Sequence, residues 1–386
     1  MSMFDLTEFF KLSAVLNYNL SAASLNRYNV LKYILAGKQL DPDENRDRES
    51  KALLMEVLGY LFSAYSHKRR RLGPMAVLHP LRAAALMTRA ADEVDLDSIL
   101  TVLLHDILED VKSIDFEAQE WKEMEQRLFQ LLEHMEPEQE SQLIQRLKCL
   151  TRTPLESYYR YIGRMLESSS CFPDVVEAKL ADRLDNTLDM RVDLEDSLVG
   201  IDSFQNIFQL LFVNNYPGYV PRSEHLPSTV MNGARRLYQL FKNAVLLSLI
   251  RQLAPASDRR CRKILFDAIA EASLREAQRT LMHLVGYHLK DHRAQRDLIL
   301  DAMDYCYSGR SDLVTKPDGS RLLDGLFSTY FAPTQKKALN QQLDSLYQNK
   351  PLMIQTSIAF IVIFLGFLND SHYFIRGISA EGIKAR

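Results

Sequence analysis

Glycine, proline and cysteine are scarce in this sequence, and each scarcity argues against a class of structure. The 386 residues include only 14 Gly and 13 Pro, and most segments carry apolar residues at the three- and four-residue spacing that is typical of helices. The four cysteines form no CxxC pair, which argues against a zinc knuckle or a disulfide framework and favours a reducing compartment. We therefore expect an all-α protein in the cytoplasm.

The sequence also lacks an excess of charge of either sign. Its formal net charge is −3 at pH 7, so nothing global attracts the chain to nucleic acid or to an anionic membrane. The opening residues, MSMFDLTEFFKL, contain acid and have no basic region followed by an apolar one, so we expect no secretory signal. Any basic patch that binds an anion must be local.

One apolar run, PLMIQTSIAFIVIFLGFL at residues 351–368, approaches the length that spans a membrane. It contains Gln355, Thr356 and Ser357, which are unfavourable among lipid tails. We predict that this run is a core or interface helix and that the protein does not engage a membrane. Membrane attachment stays the alternative.

Two polar segments divide the chain. The stretch DPDENRDRES at residues 41–50 predicts a loop, and NNYPGYVPRSEHLPS at residues 214–228 concentrates residue types that end helices. We predict an N-terminal helical extension over residues 1–50, a central domain over residues 51–215 and a C-terminal helical domain of unknown role over residues 229–386.

The motif that carries chemistry is LLHDILED at residues 103–110. On one continuous helix, His105 lies over Glu109 and Asp106 lies over Asp110, because residues four apart share a face. Apolar residues surround this stripe nearly all round, so we expect the helix to be buried. Burying adjacent carboxylates is unfavourable unless a cation compensates their charge. A divalent metal ion is the simplest such cation.

Two further segments offer ligands to that ion. In VLHPLRAAALM, the proline suits the first helical position and puts His79 at the cap of a helix. In VVEAKLADRLDNTLDM, Asp182 lies on an amphipathic helix. Taken alone, these are more often a capping residue and a surface ion-pair residue. Together with the motif they make a mixed nitrogen and oxygen set that suits manganese, iron or zinc, formed by His79, His105, Asp106 and Asp182.

The order of these motifs resembles that of the HD-domain metal phosphohydrolases. More narrowly, it is similar to the hydrolase domain of the RelA/SpoT alarmone enzymes and of their stand-alone relatives, the small alarmone hydrolases. The resemblance rests on HD followed by two residues and then ED, on an HP pair opening the preceding helix, and on KLADRLDN some seventy residues later. It covers roughly residues 50–200 and implies an HD-domain helical bundle with an additional C-terminal helical domain.

The family resemblance also implies roles for individual residues. It makes His79, His105, Asp106 and Asp182 the ligands of one metal ion per site, usually Mn²⁺, although another divalent metal stays open. It makes Glu109 and Asp110 catalytic residues that act on water and on protons. It implies contacts with the nucleotide substrate for the following residues: Arg70, Arg71, Tyr158, Tyr161, Lys179 and Asn186.

The implied reaction is metal-dependent removal of the 3′ pyrophosphate of (p)ppGpp, which gives GDP or GTP and pyrophosphate. The chain departs from the family at Met75 and Ala76, where the family has Pro-Tyr, and at Asp189, where long forms often carry Thr. These departures affect the nucleotide pocket, so hydrolysis of ppApp or of the 3′ phosphate of NADPH stays open. A non-catalytic nucleotide-sensing regulator and a homo-oligomer also stay open, and no nucleic-acid partner is expected.

Overall fold

A computed structural model gives the structure of the protein. It describes residues 11–14, 16, 27–66, 68, 76–153, 156–189, 233–253, 259–314, 316–317, 319–330, 341, 345–346, 349–369, 378–379 and 382–383. Nearly all of these residues are helical, and the described strands are two residues each, β1 (Ile378–Ser379) and β2 (Gly382–Ile383), paired antiparallel. The predicted all-α class is confirmed.

The chain forms two compact units. The first consists of Met1–Glu156, Arg164–Asp189 and Ala256–Ile269, and the second of Ser157–Gly163, Met190–Pro255 and Ala270–Arg386. The domain boundaries expected from the sequence stay predictions, and the predicted break at residues 214–228 lies outside the described residues.

The first unit is built from helices of very different length. They are α1 (Arg27–Leu35), α2 (Glu44–Ala64), α3 (Leu78–Ala90), α4 (Leu96–Leu104), α5 (Ile107–Asp110), a 3₁₀ turn (Ser113–Asp115), α6 (Ala118–Glu133), α7 (Pro137–Leu150) and α9 (Asp174–Leu188). Between α7 and α9 the chain forms α8 (Tyr158–Glu167), which is divided between the two units.

Helix α3 lies at the centre of the first unit, packed against α1, α4 and α9. Its Ala83, Ala84 and Ala85 are fully buried, and their small side chains let neighbouring helices approach closely on several faces. Helix α3 begins at Leu78, one residue before the predicted cap at His79. His79 and the proline after it therefore lie inside the first turn, where backbone N–H groups have no intrahelical partner and proline is tolerated.

The start of α2 corrects the predicted loop at residues 41–50. The helix already begins at Glu44, because the carboxylate of Asp43 accepts hydrogen bonds from the backbone N–H groups of Asn45 and Arg46. Such a cap satisfies donors that a helix start leaves unpaired and stabilises it by about 1 kcal/mol. The acidic composition that suggested a loop is the composition that favours a helix N-terminus.

The second unit contains the remaining helices. They are α10 (Gly233–Leu253), α11 (Arg260–His288), whose first turns belong to the first unit, α12 (His292–Ser308), a 3₁₀ turn (Ser311–Val314), α13 (Leu326–Tyr330) and α14 (Lys350–Asn369).

Helix α14 contains the apolar run that approaches membrane-spanning length. It packs against α10 and α12, and Phe360 and Phe364 lie 5.6 Å and 6.2 Å, centroid to centroid, from the ring of Phe241. Ile358 to Phe364 are fully buried, which agrees with the predicted core helix. Among the described residues, no helix combines the length and the apolar character needed to cross a bilayer.

Candidate metal centre

Four side chains that the sequence assigns to a metal ion lie together in the first unit. His79 comes from the first turn of α3, His105 and Asp106 from the link between α4 and α5, and Asp182 from α9. One nitrogen or carboxylate oxygen of each lies within 4.8 Å of those of the other three. Three of the residues are buried, and Asp106 is half-buried. Three separate parts of the chain thus form one candidate metal centre.

The link between α4 and α5 differs from the continuous helix that the sequence predicts. Helix α4 ends at Leu104, and α5 begins at Ile107 after Asp106, whose φ and ψ are −97° and 0°. In an unbroken helix, successive side chains point about 100° apart. The break turns both His105 and Asp106 toward the same point, so that His105 Nε2 lies 3.1 Å from Asp106 Oδ2.

The ligand atoms are spaced as they are around one metal ion. His79 Nε2 lies 3.2 Å from Asp106 Oδ2 and 3.2 Å from Asp182 Oδ1. His105 Nε2 lies 3.8 Å from Asp182 Oδ1. Metal bonds of about 2.0–2.2 Å place neighbouring ligand atoms roughly 2.8–3.6 Å apart in octahedral or tetrahedral coordination. The four side chains therefore fit a metal ion without large rearrangement.

Both imidazoles are held with Nε2 toward the centre. His79 Nδ1 lies 2.6 Å from Asp185 Oδ2, and His105 Nδ1 lies 2.7 Å from the carbonyl oxygen of Val102. Because carboxylate and carbonyl oxygens only accept, each Nδ1 carries the hydrogen, and a neutral ring then has its lone pair on Nε2. The two Nε2 atoms are 3.2 Å apart. This is the tautomer that binds metal ions in proteins.

Asp185 is the residue that orients His79. It is fully buried, and besides the imidazole it accepts from Arg82, whose Nε lies 2.6 Å from Oδ1 and whose Nη2 lies 3.1 Å from Oδ2. Burial raises the pKa of Asp185, but Arg82 and His79 lower it to well below its usual range. Arg82 also faces Asp189, at 3.2 Å. Asp185 is therefore an ionised carboxylate held in place from two sides.

Two predicted substrate contacts, Lys179 and Asn186, touch a metal ligand in the structure. Lys179 Nζ lies 2.7 Å from Asp182 Oδ2, and Asn186 Nδ2 donates to Asp182 Oδ1 at 2.5 Å. These contacts fix the rotation of the Asp182 carboxylate. A contact of either residue with a nucleotide stays a prediction.

Electrostatics in the cluster favour a positive charge. Burial lowers the pKa of His105, but Asp106 and Asp182 raise it well above its ordinary value. Burial raises the pKa of Asp106, but the imidazoles of His105 and His79 lower it below its usual range. Burial also raises the pKa of Asp182, but Lys179 and the two imidazoles lower it well below its usual range. A cation is therefore stabilised where the four side chains meet.

The two predicted catalytic acids lie one turn beyond the ligands, in less buried positions than expected. Glu109 is half-buried and its Oε1 accepts a hydrogen bond from the backbone N–H of Arg152 at 2.6 Å. Asp110 is exposed, as is Leu108. The prediction that this helix is buried all round is wrong, because only its first part, through Ile107, faces the core while its end reaches the surface.

Asp110 nevertheless has a perturbed carboxylate. Loss of solvent around it and the nearby charge of Asp106 raise its pKa. The hydroxyl of Tyr65 donates to Asp110 Oδ2 at 3.5 Å, and burial together with the charge of Asp110 raises the pKa of Tyr65. Lys68 donates to the backbone oxygen of Asp110 and lies 2.7 Å from Asp115. Asp110 thus combines access to solvent with a raised proton affinity.

Sequence reasoning missed Arg82, Asp185 and Tyr65. The first two carried a readable signal: Arg82 follows His79 by three residues and Asp185 follows Asp182 by three, so each shares a helix face with a ligand. Tyr65, at the end of α2, has no such local signal because only packing brings it to Asp110.

The structure does not test the remaining predicted substrate contacts. Tyr158 and Tyr161 are buried in the second unit, with ring centroids 6.0 Å apart. Arg70 and Arg71 lie outside the described residues. Their predicted contacts with a nucleotide stay predictions.

Comparison with known proteins places the chain in no family. No family model, no curated protein and no solved structure matches it. The candidate metal centre therefore stands on the geometry of His79, His105, Asp106 and Asp182 and of the residues that hold them.

Proposed function

We propose that this protein is a metal-dependent phosphohydrolase that removes the 3′ pyrophosphate of (p)ppGpp. The observation that carries the proposal is the convergence of two imidazole Nε2 lone pairs and two carboxylate oxygens on one point. The resemblance of the HD, ED and KLADRLDN motifs to the RelA/SpoT hydrolases supplies the substrate.

A metal ion is favoured over a proton as the cation at this point. A proton shared by the two histidines would satisfy the His79–His105 pair but would leave Asp106 and Asp182 facing each other across the same space. A divalent ion accepts all four donors at once, and a set of two imidazoles and two carboxylates suits Mn²⁺ and similar ions. Three of the ligands also contact a second residue, as is typical of metal sites. These pairs are His79 with Asp185, His105 with Val102 and Asp182 with Lys179.

An ion held here would act as a Lewis acid toward a phosphate oxygen and would lower the pKa of a water molecule toward neutrality. The chain's own acids would then manage protons. Glu109 lies one turn beyond the ligands and orients or deprotonates the water. Asp110 has a raised pKa and access to solvent, so it can share protons with the water or with the leaving 3′ oxygen.

The proposed reaction balances as a hydrolysis. The oxygen of water bonds to the phosphorus next to the 3′ oxygen of the ribose, and the bond between that phosphorus and the 3′ oxygen breaks. The 3′ oxygen takes a proton, and the products are GDP or GTP and pyrophosphate. No oxidant is needed, and water is the only other reactant.

The test is a substrate panel on protein loaded with Mn²⁺. Chromatography after incubation with ppGpp, ppApp and NADPH separates the candidate substrates, and we expect pyrophosphate release from ppGpp. Asp182→Asn should abolish turnover. Asp174→Asn is the matched control, because Asp174 is equally buried on the same helix but pairs with Arg146, away from the ligands.

Three outcomes contradict parts of the proposal. Turnover of ppApp or NADPH but not ppGpp would show that the proposed substrate is wrong and that the proposed hydrolysis is right. Tight ppGpp binding without turnover by metal-loaded protein would favour a nucleotide-sensing regulator. Equal loss of activity in Asp182→Asn and Asp174→Asn would show that the effect comes from folding and not from the metal site.

A further inference from the structure

A groove lined by both charged and apolar residues lies in the first unit, apart from the metal centre. It is a groove of about 420 Å³ between α1, α2 and α6, a volume within the range of roughly 300–1,000 Å³ for sites that bind small molecules. None of its lining residues is a metal ligand or a residue that the structure shows holding one. The groove is therefore a feature separate from the candidate metal centre.

Helical spacing accounts for the shape of the groove. On α2, Glu56, Gly59 and Ser63 lie on one face, and on α6, Arg127 and His134 are two turns apart on one face. Where two packed helices usually place large apolar side chains against each other, α2 presents a glycine and a serine. These small residues leave space beside α2, and polar side chains from α1 and α6 extend into it.

Two arginines enter this space and are held there. Arg27, the first residue of α1, stacks over the ring of Phe62 at 5.7 Å, and a Cβ on Gly59 would lie 3.0 Å from its Nη1. Arg127 Nη1 donates to Ser63 Oγ at 2.8 Å, and that hydroxyl in turn donates to the carbonyl oxygen of Gly59 at 3.2 Å. Both guanidinium groups thus lie against one turn of α2.

The charge of the groove is positive in a chain whose net charge is −3. Among the described residues, neither Arg27 nor Arg127 forms an ion pair with a carboxylate. The carboxylate in the groove, Glu56, is engaged by His134, whose Nδ1 lies 2.8 Å from Glu56 Oε2. Two exposed guanidinium groups therefore line the groove, and neither has an ion-pair partner in the part of the chain that the structure describes.

We infer that this groove binds the phosphate or pyrophosphate group of a small molecule, bridged between Arg27 and Arg127. Their contacts on α2, Gly59 and Ser63, are one helical turn apart, on the order of 6 Å, which a phosphate group with several acceptor oxygens can span. Arginine is suited to the role because its planar fork of N–H donors matches phosphate oxygens. The inference does not depend on the metal centre or on the proposed hydrolysis.

The experiment is calorimetric titration of the full-length protein, kept metal-free with a chelator, with inorganic pyrophosphate. Inorganic phosphate and GDP are titrated separately to distinguish a free anion from a nucleotide. We expect saturable binding by wild type that weakens as salt is added. The variant Arg27→Gln/Arg127→Gln should bind at least tenfold more weakly, while Asp182→Asn, which disables the metal centre, should bind like wild type.

A charge-matched control separates the site from general electrostatics. Arg260→Gln/Arg275→Gln removes two exposed arginines that do not line the groove, and it should bind like wild type. Thermal unfolding of both double variants checks that they are folded. Absence of saturable binding by wild type, or equal weakening in the two double variants, would overturn the inference; loss in Asp182→Asn alone would assign the anion to the metal centre.

Discussion

His79 Nε2 and His105 Nε2 lie 3.2 Å apart, and the other nitrogen of each ring donates to an oxygen that can only accept. Two neutral rings held in this way have no hydrogen to place between them, so they repel unless a cation lies at the point they face. Asp106 and Asp182 face the same point. A positive charge at that point, from a proton on His105 or from a metal ion, therefore stabilises the arrangement.

Metal binding should stabilise the fold. A ligand that binds only the folded state adds about 2.7 kcal/mol at a hundredfold excess over its Kd, so Mn²⁺ should raise the unfolding temperature by several degrees and a chelator should reverse the rise. Differential scanning calorimetry measures both. The rise should vanish in Asp182→Asn and persist in Asp174→Asn; a rise that persists in both variants would place the ion elsewhere.

Asp185→Asn should weaken metal binding although Asp185 is not a ligand. The substitution removes the charge that fixes the tautomer of His79, and changes of this kind lower metal affinity by about 10–100-fold. It also removes one of the carboxylates that the buried Arg82 contacts and leaves Asp189, at 3.2 Å from its Nη2, so stability should fall by up to about 3–5 kcal/mol.

Competition for Mn²⁺ with a fluorescent chelator measures the affinity of Asp185→Asn, and urea unfolding measures its stability. Asp174→Asn serves again as control, because it removes a buried carboxylate from the same helix and breaks the ion pair with Arg146. Loss of stability with unchanged Mn²⁺ affinity in Asp185→Asn would mean that Asp185 has a purely structural role.

Glu109 should show separable structural and chemical roles. Glu109→Gln keeps an oxygen that can accept from the N–H of Arg152 but cannot take a proton, so Mn²⁺ affinity and stability should stay near wild type. Turnover should fall by about 10²–10⁴-fold, the usual contribution of a general base. Glu109→Ala should also lose the hydrogen bond to the N–H of Arg152 and be less stable. Activity of Glu109→Gln close to that of wild type would show that Glu109 has only this structural role.

Asp47 should make stability depend on pH in the acid range. Burial raises its pKa, but Lys51 and the backbone N–H of Leu40, at 2.7 Å from its Oδ1, lower it below its ordinary value of 3.8. Because the folded state holds the ionised form, the stabilisation is complete above about pH 4 and is lost as pH falls through the folded pKa. The difference in unfolding free energy between wild type and Asp47→Asn should therefore shrink below about pH 4.

Urea unfolding of wild type and Asp47→Asn at a series of pH values, in the presence of a chelator, measures that difference. Lys51→Gln should narrow it at neutral pH, since Lys51 is the charged partner of Asp47. A difference that does not change with pH would show that the two carboxylate oxygens act only as neutral acceptors.

Local pattern was sufficient for the helices and for the residue types at the site. Three- and four-residue apolar spacing indicated an all-α chain because helix periodicity is set within a few turns of sequence. The acids and the histidine in LLHDILED also lie within two helical turns, so the local sequence was sufficient to identify His105 and Asp106 as candidate ligands. The loop predicted before α2 was wrong because Asp43 begins a helix with the same acidic residues that otherwise suggest a loop.

The helical class could be predicted from the sequence, and so could the four residues able to hold an ion, His79, His105, Asp106 and Asp182. That these residues meet depends on the tertiary packing. His79 on α3 and Asp182 on α9 are brought together by packing of helices distant in sequence, and the break after Leu104 turns His105 and Asp106 to one point. Local periodicity carries no information on either, because both depend on how buried faces fit around a shared core.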